Sequence, residues 1–81
     1  MEFTVHLRGV EEVKTFANKA GKYNCDIMVK NCGRAFTVDG SSVMGMFSLN
    51  LMEPVIVHIE DDETGGLFKN DVSEYVIEGE E

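Results

Sequence analysis

Two histidines, two cysteines and the carboxylates Asp61, Asp62 and Glu63 are the groups in this 81-residue chain whose chemistry is notable by type. An imidazole can relay a proton or bind a metal. His6 lies between Val5 and Leu7, and His58 between Val57 and Ile59. Successive side chains of a strand point to opposite faces, so each histidine reads as a solvent-facing residue opposite apolar neighbours, and neither receives a catalytic role. Cys25 and Cys32 are separated by six residues, which is neither the CxxC spacing of a redox pair nor that of a zinc knuckle. Two free thiols are expected, since a zinc site would require His6 and His58 to converge on both cysteines. Asp61-Asp62-Glu63 reads as a solvated helix entry, and Gly65-Gly66 is not a phosphate loop. No Ser-His-Asp or Cys-His arrangement follows from the spacing, so neither an enzyme, a metal nor a cofactor is expected.

The elements that must position these groups follow from hydrophobic period. Phe3, Val5 and Leu7 alternate with polar residues, the pattern of a strand with one buried face. Val13, Phe16, Ala17 and Ala20 then fall at i, i+3, i+4 and i+7, which predicts a helix over about residues 11–21. Glu11 and Glu12 suit its positive end and Gly21 its exit. Cys25, Ile27 and Val29, a turn at Asn31-Cys32-Gly33, and Ala35, Phe36 and Val38 predict a hairpin. Asp39-Gly40-Ser41-Ser42 supplies a turn and a helix cap, with a short helix to Leu49. Glu53-Pro54 ends that region, and Val55 to Ile59 is the fourth strand. Phe68, Val72, Tyr75 and Val76 predict a last helix whose start Gly65 and Gly66 delay. The order is β-α-β-β-α-β-α, with no repeat or linker.

Eighty-one residues form a single domain over 1–81, near the lower size at which an apolar core suffices alone, with a loose acidic tail at 78–81. Hydrophobic residues at 43% and charged residues at 27% describe a soluble globular chain. Seven basic against fifteen acidic residues give a net charge of -8, which disfavours nucleic acid and anionic membrane and favours basic partners. The apolar stretch from Val43 to Met52 is too short to span a bilayer. The start Met-Glu-Phe-Thr lacks the features of a signal peptide, so a cytoplasmic monomer is expected.

The segment Ser42-Val43-Met44-Gly45-Met46-Phe47-Ser48-Leu49 resembles the second helix of HPr, the small phosphocarrier of the bacterial sugar phosphotransferase system. The likeness extends from about Gly21 to Ile59, through Lys22-Tyr23 and the hairpin, and weakens at both ends. It implies an α+β fold, an open-faced two-layer sandwich whose four-stranded antiparallel sheet, in order 1-4-2-3, has three helices on one face. HPr proteins carry their phosphoryl group on a histidine in a Gly-x-His-Ala-Arg-Pro-like motif. No such motif occurs here; the corresponding stretch is Leu7-Arg8-Gly9-Val10-Glu11-Glu12-Val13. A transferred phosphoryl group is negative and is stabilised by helix N–H groups and a nearby Arg, whereas Glu11 and Glu12 would repel it.

The resemblance further implies that Ser42 corresponds to the serine phosphorylated by a dedicated kinase in HPr proteins of Gram-positive bacteria, where it serves catabolite regulation. The residue is also an ordinary helix cap, and both roles are compatible because a phosphoserine interacts favourably with a helix N-terminus. Val43 and Phe47, four residues apart, fall on the stripe that docks partner proteins in HPr, with Met44 beside them as an adaptable contact. The expected function is therefore an HPr-like protein-interaction or regulatory module without histidine phosphotransfer, binding a protein partner through its second helix. An atypical phosphocarrier using His6, near Arg8, is the alternative. A structural subunit without phosphorylation is a third.

Overall fold

The computed structural model describes residues 1–77, so the acidic tail expected at 78–81 lies outside the described residues. The elements are β1 (Glu2–Val5), α1 (Val10–Ala20), β2 (Ile27–Asn31), β3 (Thr37–Asp39), α2 (Val43–Met46), β4 (Val55–Ile59), α3 (Asp62–Asp71), a 3-10 turn (Ser73–Tyr75) and β5 (Val76–Ile77). All strand pairings are antiparallel. The sheet order is β3-β2-β4-β1-β5. The sheet thus has five strands, a correction to the expected four; read from β1, the neighbours β4, β2 and β3 follow in turn, and β5 is added outside β1.

The fifth strand has a physical cause. Without it β1 would present an unpaired edge of N–H and C=O groups. Val76 and Ile77, both β-branched, pair with Val5 and Thr4. The His6 amide extends that contact by donating to the Tyr75 carbonyl at 2.9 Å. The spacing of Phe68, Val72, Tyr75 and Val76 suggested one helix to Val76, but α3 ends at Asp71. Phe68, Val72 and Tyr75 are buried all the same, because the 3-10 turn keeps Tyr75 over the core.

Strand register puts the apolar residues on one face. Phe3 is paired with Val57, Val57 with Val29, and Ile59 with Ile27, and all four positions on β2 and β4 are buried. The opposite face carries Glu2, Thr4, Met28, Lys30, Ile56 and His58, all half-buried or exposed. Val13, Phe16, Ala17 and Ala20 of α1 lie in the core as their spacing predicts. Phe68 ties α3 to this layer, with its ring edge-on to Phe16 at 5.2 Å and to Tyr23 at 5.4 Å. Gly40 lets the chain turn tightly after β3: a Cβ there would meet the Ile27 carbonyl oxygen at 3.0 Å and the Ile27 and Val29 methyls at 3.1 Å.

Three element boundaries differ from the sequence pattern. The hairpin strands lie about two residues later than expected, leaving Cys25 and Phe36 outside them, with Gly33 taking the left-handed φ of 78° in the turn. The second helix is one turn, Val43–Met46, and continues to Leu49 only through 3-10 hydrogen bonds from Ser48 to Gly45 and from Leu49 to Met46. The third helix starts at Asp62, ahead of Gly65 and Gly66, because Asp61 caps it by accepting from the Thr64 amide at 3.0 Å. The Thr64 hydroxyl first, and then that amide contact, hold the Asp61 carboxyl below its usual range.

Candidate interaction cleft

Where β1 passes into α1, the chain borders a cleft of about 470 Å³. His6, Leu7, Arg8, Gly9 and Val10 form one side, Val13 closes it from α1, and Phe47, Leu49, Leu51 and Met52 form the other side. Leu7, Val13 and Leu49 are buried, so the depth of the cleft is an extension of the core. Its rim is open to solvent and mostly apolar, with Val10 55% exposed, Phe47 46% and Met52 90%, and exposed Arg8 is the one charged residue that lines it. Met44 on α2 is 82% exposed and adds apolar surface three residues before Phe47, the C-cap of that helix.

Ser42 is the N-cap of α2, its Oγ accepting from the Gly45 amide at 3.0 Å. Ser41 does not share this task; its hydroxyl donates to Asp39 Oδ1 at 2.8 Å within the preceding turn. Gly45 sits close beneath the cap, since a Cβ there would lie 3.2 Å from Ser42 Oγ. Val43 is half-buried and packs against the core, so it contributes less surface than Met44 or Phe47. Phe47 lines the cleft; Ser42, Val43 and Met44 do not. Val10, Leu51 and Met52 are additions that hydrophobic period could not supply. Val10 comes before the buried stripe of α1, and Leu51 and Met52 belong to an irregular segment.

His6, half-buried, is among the residues that border the cleft beside Gly9 and Val10. The regular part of β1 ends at Val5, and His6, Leu7 and Arg8 lead to a bend at Gly9 ahead of α1. The α1 terminus itself is already served by carboxylates. Glu12 Oε1 accepts from the Arg8 amide at 2.8 Å, one residue ahead of the N-cap Gly9, which offers no side chain. Glu11 occupies the same first turn, 3.9 Å from Lys14 Nζ. An anion approaching this end of α1 meets two negative groups.

The other chemically notable side chains lie elsewhere. His58 is on the open face of the sheet, with Nδ1 3.2 Å from Glu2 Oε2 and Nε2 3.1 Å from Glu60 Oε2. Hydrogen bonding to Glu60, with Glu2 adding, raises its pKa above the ordinary imidazole value. Cys25 is half-buried, Cys32 is exposed, and both are free thiols. Among the described residues, no group of three His, Cys, Asp or Glu side chains is arranged to hold a metal ion, and no helix is long and apolar enough to cross a membrane.

No family model matches the chain, and no curated protein matches it. Solved structures do. The crystal structure of HPr-C-His from Thermoanaerobacter tengcongensis matches with a TM-score of 0.71 and 24% identity, over 91% of this chain and 91% of that one. The phosphocarrier protein HPr from Bacillus anthracis str. Ames matches with a TM-score of 0.68 and 19% identity, over 95% of this chain and 96% of that one. At these identities the likeness is one of fold: the chain has an HPr-like fold over nearly its whole length.

Proposed function

We propose that this chain is an HPr-like interaction module related to the sugar phosphotransferase system, one that binds a protein partner and does not carry a phosphoryl group on histidine. The observation that supports this most is the pair of carboxylates at the start of α1, where Glu12 already accepts from the Arg8 amide and Glu11 stands in the same turn. A carrier needs donors free to meet the charge of the phosphoryl group, and a carboxylate in that place opposes it. The partner surface is Val43, Met44 and Phe47 of the α2 region together with the cleft rim. Ser42 is its regulatory position: a phosphate there would sit at the N-terminal end of α2 beside the amide that the hydroxyl now accepts from. The module is not an enzyme, and it works in the cytoplasm as a monomer.

A second reading has one observation in its favour. His6 and Arg8 border the same cleft at the α1 terminus, so a phosphocarrier using His6 is the alternative to be tested. Incubation with phosphoenolpyruvate and enzyme I, and separately with ATP and HPr kinase, followed by mass spectrometric location of phosphate, separates the readings. The proposed module gains phosphate on Ser42 only, and loses it in Ser42→Ala. Phosphate on His6 supports the carrier, and phosphate on neither residue leaves a structural subunit.

A further inference from the structure

We infer that Asn31, which does not itself line the cleft, positions the side of it that carries Leu49, Leu51 and Met52, an inference that rests on the docking role proposed above and adds the residue that sets the shape of that surface. Asn31 is the last residue of β2 and is paired with Val55 of β4, so the sheet fixes its backbone. Its side chain grips Asn50, 19 residues away, at both backbone polar groups: Nδ2 donates to the Asn50 carbonyl at 2.8 Å, and Oδ1 accepts from the Asn50 amide at 2.9 Å. Asn50 stands between Leu49 and Leu51, and its own Oδ1 accepts from the Met52 amide at 3.1 Å. The two asparagines thus hold, in series, the backbone that carries three cleft residues. Among the described residues nothing else does so by hydrogen bonding: residues 50–53 belong to no helix or strand and form no hydrogen bond to other backbone groups. Burial of Leu49 and half-burial of Leu51 keep the segment against the core. Burial is non-directional, however, and does not set where Leu51 and Met52 point. A doubly bonded amide does, because each of its hydrogen bonds weakens steeply off line. The cleft therefore takes its shape on this side from the end of β2, and loss of the Asn31 side chain should let that side drift while the core stays in place.

The test titrates isopropanol, a small neutral probe of apolar clefts, into the full chain while amide and methyl chemical shifts are followed, in the native sequence and in Asn31→Ala, Asn31→Asp and Asp61→Ala. The aspartate at position 31 keeps an acceptor for the Asn50 amide and loses the donor to its carbonyl. Asp61→Ala removes the cap of α3 and lowers stability at a place outside the cleft lining. Isopropanol should shift Val10, Leu51 and Met52 in the native chain. Asn31→Ala should weaken that binding at least about fivefold and speed hydrogen exchange of the Asn50 and Met52 amides by a similar factor. Asn31→Asp should fall between the two, Asp61→Ala should bind as the native chain does, and the Val57 methyls should stay in place throughout. If Asn31→Ala speeds exchange yet binds isopropanol as the native chain does, side-chain burial alone shapes the cleft; the inference is overturned and the docking role stands. If Asp61→Ala weakens binding as much as Asn31→Ala, the effect is general destabilisation and the inference is again overturned. If isopropanol shifts no cleft residue of the native chain, the docking role fails and the inference with it.

Discussion

His58 illustrates how a single side chain can make this fold sensitive to pH. A neutral imidazole donates from one nitrogen only, so its contacts to Glu2 and Glu60 are both donated only when the ring is protonated. The raised pKa fixes the sign of the effect. The pairing contributes stability at pH below the ordinary imidazole pKa, and this contribution is lost as pH rises through the raised value. Thermal unfolding followed across that window should show a fall in Tm with rising pH that His58→Gln abolishes; an unchanged slope in the variant would assign the effect elsewhere. Ser42 can be tested at the same scale. Removing its cap with Ser42→Ala should cost about 1 kcal/mol in chemical denaturation, with loss of protection first at the Gly45 amide, which the hydroxyl now satisfies.

At the scale of elements, the sequence is most legible where one period dominates over a full turn or strand. Val13, Phe16, Ala17 and Ala20 of α1, and Val55, Val57 and Ile59 of β4, are buried as their spacing requires. The pattern misleads where neighbouring structure decides. Val76 looks helical by its distance from Phe68 and Val72, yet the open edge of β1 recruits it as a strand. Gly65 and Gly66 lower helix propensity, yet the Asp61 cap precedes them and starts α3 anyway. The candidate site was half visible for the same reason. Phe47 and Met44 stand out in an apolar helix, whereas Val10 and Met52 gain meaning only when the fold brings two distant segments to one cleft. Glycines can be separated by what surrounds them. Gly66 has open space where a Cβ would go, so Gly66→Ala should stabilise α3 by about 0.5–1 kcal/mol. Gly40→Ala should destabilise by about 1–3 kcal/mol, since its Cβ would press on the Ile27 carbonyl and on two core methyls. Denaturation midpoints of the two variants should move in opposite directions.

The whole molecule combines an HPr-like fold with two carboxylates in the first turn of α1. The fold is held by one core in which Phe68 meets Phe16, Phe3 and Tyr23, and the same core forms the depth of the cleft through Leu7, Val13 and Leu49. Binding at the rim can therefore change without disturbing the fold, whereas Phe68→Ala should lower stability by about 3–5 kcal/mol wherever it is probed. The proposed absence of histidine phosphotransfer rests on Glu11 and Glu12, because charge at the α1 terminus acts on any phosphoryl group brought there. The most direct measurement is incubation of the intact chain with phosphoenolpyruvate and enzyme I, with acid-labile phosphate sought by mass spectrometry at low and neutral pH. The account predicts none on His6 or His58. Acid-labile phosphate on His6 that disappears in His6→Ala would contradict it and make the chain a carrier.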